Sequence, residues 1–128
     1  MPSFGEPAFE DLTLYRYLAR AMLDGSPAAA AMFEEMVSLG ERWLTEHRPG
    51  MVEDPRAYSA LLVAMELGAL SMSDQLSLAL GADVFSRERH LRLTNAKTDF
   101  YSEPLLEPGA AAHAREAIDR LVAEAGER

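Results

Sequence analysis

The sequence predicts an all-α protein, an antiparallel helical bundle of about five helices. Three observations carry that prediction. Apolar residues recur at three- and four-residue spacing in every long block. Glycine and proline fall between the blocks, where helices stop and start. No stretch alternates apolar and polar residues as a half-buried strand would. A length of 128 residues suits one domain with one core, so residues 1–128 are read as a single domain.

The first block runs from about Phe9 to Asp24. Leu12, Tyr15, Leu18, Ala19, Met22 and Leu23 share one face, and Gly25 sits where a left-handed cap would end the helix. Ser26-Pro27 opens the second block, because serine caps a helix start and proline loses no needed N–H there. That helix is expected to reach about His47. Its apolar face is Met32, Phe33, Met36, Val37, Gly40, Trp43 and Leu44; Glu34, Glu35, Ser38, Glu41 and Arg42 lie opposite. Asp54-Pro55 repeats the signal and starts a third block, Pro55 to Leu80, capped by Gly81.

This third block differs in kind. Tyr58, Leu61, Leu62, Met65, Ala69, Met72 and Leu76 form one stripe, and Val63, Leu67, Leu70, Leu78 and Ala79 fill much of the rest. A helix apolar nearly all round is buried on more than one side. Gly68 would admit another backbone. Ser59, Glu66, Ser73 and Ser77 share a strip, read as a narrow solvated face; the sharper alternative makes Glu66 a carboxylate aimed into a pocket. The fourth block runs from about Ser86 to Leu106, with Pro104 kinking or tightening its last turn. A final amphipathic block, about Gly109 to Ala125, shows Ala114, Ile118, Leu121 and Val122 on one side.

Composition narrows function. The formal charge is −9, and the single lysine, Lys97, stands among scattered arginines. Nucleic-acid affinity comes mostly from clustered cations on phosphates, so these residues are not expected to grip DNA. An anionic membrane would repel them, and no apolar run is long enough to cross a bilayer. The absence of cysteine removes disulfides and thiolate metal sites and fits a cytoplasmic protein. His47, His90 and His113 are far apart, so no metal is expected. No nucleophile elbow or phosphate loop appears, and the sequence offers no catalytic residue, no cofactor and no enzyme.

Two features point instead to binding. Of seven methionines, Met22, Met32, Met36, Met65 and Met72 lie, with several aromatics, mainly on the apolar faces of the first three helices. Ordinary core accounts for most of them, but methionine also suits a pocket of varied apolar shape. The third helix needs cover on two sides, which a second copy of the chain would supply as a four-helix bundle.

The order of the blocks now resembles a known family. The run Tyr17-Leu18-Ala19-Arg20-Ala21-Met22-Leu23-Asp24-Gly25-Ser26-Pro27-Ala28 is similar to the middle of the regulatory domain of tetracycline-repressor (TetR) regulators. So are Asp54-Pro55-Arg56-Ala57-Tyr58 through Gly68, and Leu80-Gly81-Ala82-Asp83. The similarity spans about Phe9 to Leu106. It implies a ligand-binding and dimerisation domain of a transcriptional repressor, with the helices at Pro55–Leu80 and Ser86–Leu106 forming the four-helix bundle of a homodimer. A small apolar effector would lie near Phe33, Met36, Trp43 and Met65. The dimer would use Leu62, Ala69, Met72, Leu76, Leu91, Asn95, Thr98 and Tyr101. The family's N-terminal helix-turn-helix is expected to be missing here, so DNA binding would belong to the parent regulator. The alternative is a headless interaction module without a ligand. The resemblance does not explain the helix at 109–125.

Overall fold

The computed structural model describes residues 17, 20–21, 23–81 and 87–127. Every regular element among them is an α-helix: α1 Pro27–His47, α2 Pro55–Ser71, α3 Ser73–Leu80, α4 Arg87–Ser102 and α5 Pro108–Gly126. Most of the expected first helix, including Leu12, Tyr15, Leu18, Ala19 and Met22, lies outside the described residues, as does the expected start at Ser86. The chain divides into two compact units, Met1–Leu91 and Arg92–Arg128.

In the first unit the expected caps are in place. Gly25 has φ +67° and closes the turn before α1. The Ser26 hydroxyl accepts from the Ala29 N–H at 3.1 Å, with Pro27 at the first helical position. Asp54 does the same for α2, accepting from the Ala57 N–H at 3.0 Å ahead of Pro55. Each such cap contributes about 1 kcal/mol.

α2 turns back and packs along α1. The contact is closest at Gly40. A Cβ there would overlap the Ser59 hydroxyl outright, so only glycine admits Ser59 at this depth. Ser59 is 0 % exposed, and its hydroxyl donates to the Val37 carbonyl at 2.8 Å. The buried polar group is therefore satisfied. Ala29, Val37 and Leu44 form the buried apolar stripe of α1, spaced at about two helical turns. On the open side of the hairpin, Arg56 of α2 pairs with Glu34 and, at 2.8 Å, with Glu41, both on α1. The Glu41 hydrogen bond and then the Glu34 charge hold the guanidinium above its ordinary range. All three groups are well exposed, so the bridge guides register more than it adds stability.

Three expectations need correction. The strip Ser59–Glu66–Ser73 is not a solvated face: Ser59 is fully buried, Ser73 is 3 % exposed, and Glu66 is half-buried. The seven-residue spacing of Ser59 and Glu66 keeps them on one side of α2, and that side is turned to α1 where Ser59 meets Gly40; Ser73 is buried beyond the end of that helix. A small side chain sits at position 59 because the two backbones come too close there for a large one.

The second correction is the long third helix, which breaks at Met72 (φ −100°, ψ 26°) into α2 and α3. The Ser71 hydroxyl donates to the Leu67 carbonyl at 2.9 Å, and Ser77 to the Ser73 carbonyl at 2.7 Å. Serines bonded back in this way loosen and bend a helix. Backbone bonds from Met72 N–H to Gly68 and from Leu76 N–H to Met72 carry the chain across, so the break is a bend, not a gap. A methyl group added at Gly68 would meet nothing within 4 Å among the described residues, so the close approach occurs at Gly40 instead.

The third correction is the end of α4. It stops at Ser102, short of Pro104, because proline disfavours helix in the residue before it and has no N–H to give. In the second unit, α5 follows from Pro108, with Pro at its first position. Gly81 (φ +78°) closes α3 as expected.

The Gly40–Ser59 contact gives a direct prediction. Overpacking costs about 1–3 kcal/mol, and alanine returns about 1 kcal/mol of helix propensity. Gly40→Ala therefore lowers stability by roughly 1 kcal/mol or somewhat more. Ser59→Ala alone costs about 1 kcal/mol through its lost hydrogen bond. In the Gly40→Ala background the same change is neutral or stabilising, because it removes the overlapping atom. Urea denaturation of the four proteins measures this coupling; simple additivity would contradict the packing described.

Candidate functional site

Two apolar surfaces remain once the hairpin is assembled. The first is the flank of α1 beside its buried stripe. Met36 and Trp43 are half-buried there and fall within about 20° of each other around the helix, whereas Phe33, also half-buried, lies in line with the buried stripe itself. The Trp43 indole stacks on the His47 ring, with centroids 5.1 Å apart and planes 15° from parallel. His47 Nδ1 lies 3.1 Å from the Trp43 carbonyl, so a proton on that nitrogen donates to it. The pair holds the only tryptophan in one orientation at the end of α1. His47 is absent from the expected site residues; its four-residue spacing from Trp43 is the signal that could have found it.

Met65, expected beside these three, lies elsewhere on α2. It is about 120° around the helix from Ser59, the residue turned to α1, and it is exposed. Met36 and Trp43 thus share one flank, Phe33 lies on the buried stripe beside it, and Met65 belongs to the second surface.

That second surface is the outer face of α2. Ala57, Tyr58, Leu61, Ala64, Met65, Gly68 and Met72 follow one another along it, and none carries a charge. Leu61 is 64 % exposed and Met72 56 %. Of the residues expected at a dimer contact, Met72 lies at the end of this face, Leu62 and Ala69 are half-buried to one side of it, and Leu76 is half-buried on α3. Tyr58 and Leu61 are the more prominent members, though only their place in the apolar stripe marks them in the sequence. On α4, Leu91, Asn95, Thr98 and Tyr101 are all exposed and share one side at helical spacing. The Thr98 hydroxyl donates within the helix to the Thr94 carbonyl at 2.9 Å.

Glu66 is half-buried in line with Ser59 and Ser73. Among the described residues no group of three or more acidic or histidine side chains gathers as a metal site. No helix among them is long and apolar enough to cross a membrane.

The comparisons with known proteins agree with this all-helical architecture. A family model described as "Tetracyclin repressor-like, C-terminal domain" matches residues 10–107. No curated protein and no solved structure matches the chain. The matched span takes in α1 to α4 and stops one residue before α5. Domains of this family are the regulatory parts of transcription regulators. The chain therefore belongs to the tetracyclin repressor-like family, as a C-terminal regulatory domain.

Proposed function

We propose that this domain is the effector-binding and dimerisation part of a cytoplasmic tetracyclin repressor-like repressor. DNA contact belongs to a helix-turn-helix region outside these residues, in keeping with the formal charge of −9. The observation that carries the reading is the uncharged outer face of α2. An uninterrupted apolar face of this length marks a contact surface, and in this family a second copy is the natural occupant. Leu61, Met65 and Met72, with Leu62, Ala69 and Leu76 at the edge, would meet the partner together with Leu91, Asn95, Thr98 and Tyr101 of α4. The effector is a small apolar molecule seated against Phe33, Met36 and Trp43.

Two experiments test the two halves of the proposal. Leu61→Arg places a charge at the centre of the outer face without touching the α1–α2 contact. Light scattering on the folded variant should report the mass of one chain where the native protein gives two; an unchanged mass contradicts the interface. For the effector half, apolar metabolites are screened by thermal shift. A ligand present at about 100 times its Kd stabilises the fold by about 2.7 kcal/mol. The ligand that does so should also change the emission of Trp43 and bind more weakly to Met36→Ala. A stabilising ligand that leaves both unaltered would place the pocket elsewhere, and a dimer with no ligand would favour a pure interaction module.

A further inference from the structure

α1 keeps a second apolar face once α2 is in place. Met32, Met36, Leu39 and Trp43 recur along it at alternating four- and three-residue steps, the spacing of a helix–helix seam. They lie within about 60° of one another around the helix. Met32 is 41 % exposed and Leu39 45 %, while Met36 and Trp43 are half-buried. Ala29 begins the row, where it joins the stripe turned to α2.

The chain leading into α1 carries a matching row. Ala8, Leu12, Tyr15, Ala19 and Met22 show the same steps in reverse order. The two rows are mirror images about the peptide bond between Gly25 and Ser26. Met22 stands level with Ala29, Ala19 with Met32, Tyr15 with Met36, Leu12 with Leu39 and Ala8 with Trp43. The chain turns at that bond. The Leu23 and Asp24 N–H groups donate to the Arg20 and Ala21 carbonyls, each at 3.1 Å, Gly25 is left-handed, and Ser26 caps α1. A link this short sets successive helices antiparallel as neighbours. We propose that residues 8–22 fold back along α1 and cover the row from Met32 to Trp43.

Size, charge and tethering select this occupant. At three of the five levels a long side chain meets an alanine, so the two rows can interdigitate. None of the ten residues is charged, so the contact buries no ion. The segment is also tied to α1 by two residues, and a separate molecule must compete with that high effective concentration. Tyr17, on the side of the helical pattern opposite its row, is 68 % exposed, as an outward position requires. One consequence rests on the effector reading given above: an apolar effector at Met36 and Trp43 competes with Tyr15 and Ala8 for the same surface. Effector binding and the pairing of residues 8–22 are then coupled.

The chain has no cysteine, so introduced disulfides report the register. A disulfide forms readily only where Cα atoms lie about 4.4–6.8 Å apart. In the full chain, Ala19→Cys with Met32→Cys, and Leu12→Cys with Leu39→Cys, should each close a disulfide within one chain. Both should close several times faster than Tyr17→Cys with Met32→Cys, in which one position faces away. Rates no better than that control overturn the proposal. So do disulfides found only between chains, which would give the row to a second copy. Trp43, the only tryptophan, supplies a second readout. Leu12→Asp, with helical circular dichroism retained, should shift its emission to longer wavelength as water reaches the indole, and Tyr17→Asp should not. Equal emission from the two variants contradicts the pairing. An empty ligand screen leaves both readouts standing, which separates failure of the effector reading from failure of the pairing.

Discussion

The first unit rests on the closeness of two backbones at Gly40 and Ser59. Where helices pack through large side chains their axes stay at the wider end of about 8–10 Å. Here a glycine faces a serine whose hydroxyl is inside the contact and bonded to the Val37 carbonyl. A larger residue at either position forces the helices apart, and an unbonded polar group at the same depth would cost about 1–3 kcal/mol. Glycine and serine are therefore coupled: each is tolerable because of the other.

That single contact decides what the rest of the unit exposes. By turning Ser59 inward, with Glu66 half-buried behind it, it turns Tyr58, Leu61 and Met65 outward, and Met72 is exposed at the end of the same face. Within the hairpin, α2 buries a small side chain, Ser59, and leaves large apolar ones bare. Folding alone gives no reason for such an inversion, since the apolar area left in water forfeits about 25 cal/mol per Å². A second copy covering the outer face supplies one. The bend at Met72 then ends the straight run of that face and redirects the chain into α3.

Much of this is legible in the residues, and the reason differs from case to case. Local signals read correctly because they act over a few residues. Ser26-Pro27 and Asp54-Pro55 cap helices, Gly25 and Gly81 close them, and the apolar spacing of α1 picks out Val37 and Leu44. The inward strip is misleading because polarity alone suggests solvent; what buries Ser59 is its size, matched to a glycine 19 positions away in the chain. Neither Gly nor Pro marks the break at Met72. It follows from serines on both sides that compete for backbone carbonyls, a weaker signal than either punctuating residue. Of the expected pocket residues, Met36 and Trp43 share a flank because they stand seven residues apart on one helix, and Phe33 lies on the buried stripe beside them. Composition alone groups Met65 with them, and the rotation of α2 separates it.

Everything functional proposed for the first unit depends on whether the outer face of α2 is covered in solution. Hydroxyl-radical footprinting of methionine side chains reads this directly, since oxidation to the sulfoxide tracks solvent access. Met65 and Met72 lie on that face at 44 % and 56 % exposure, and Met51, at 53 %, lies in the turn between α1 and α2. Oxidation of Met65 and Met72 should slow as protein concentration rises, while Met51 reacts at a constant rate. Three methionines whose oxidation is independent of concentration would contradict a covered face.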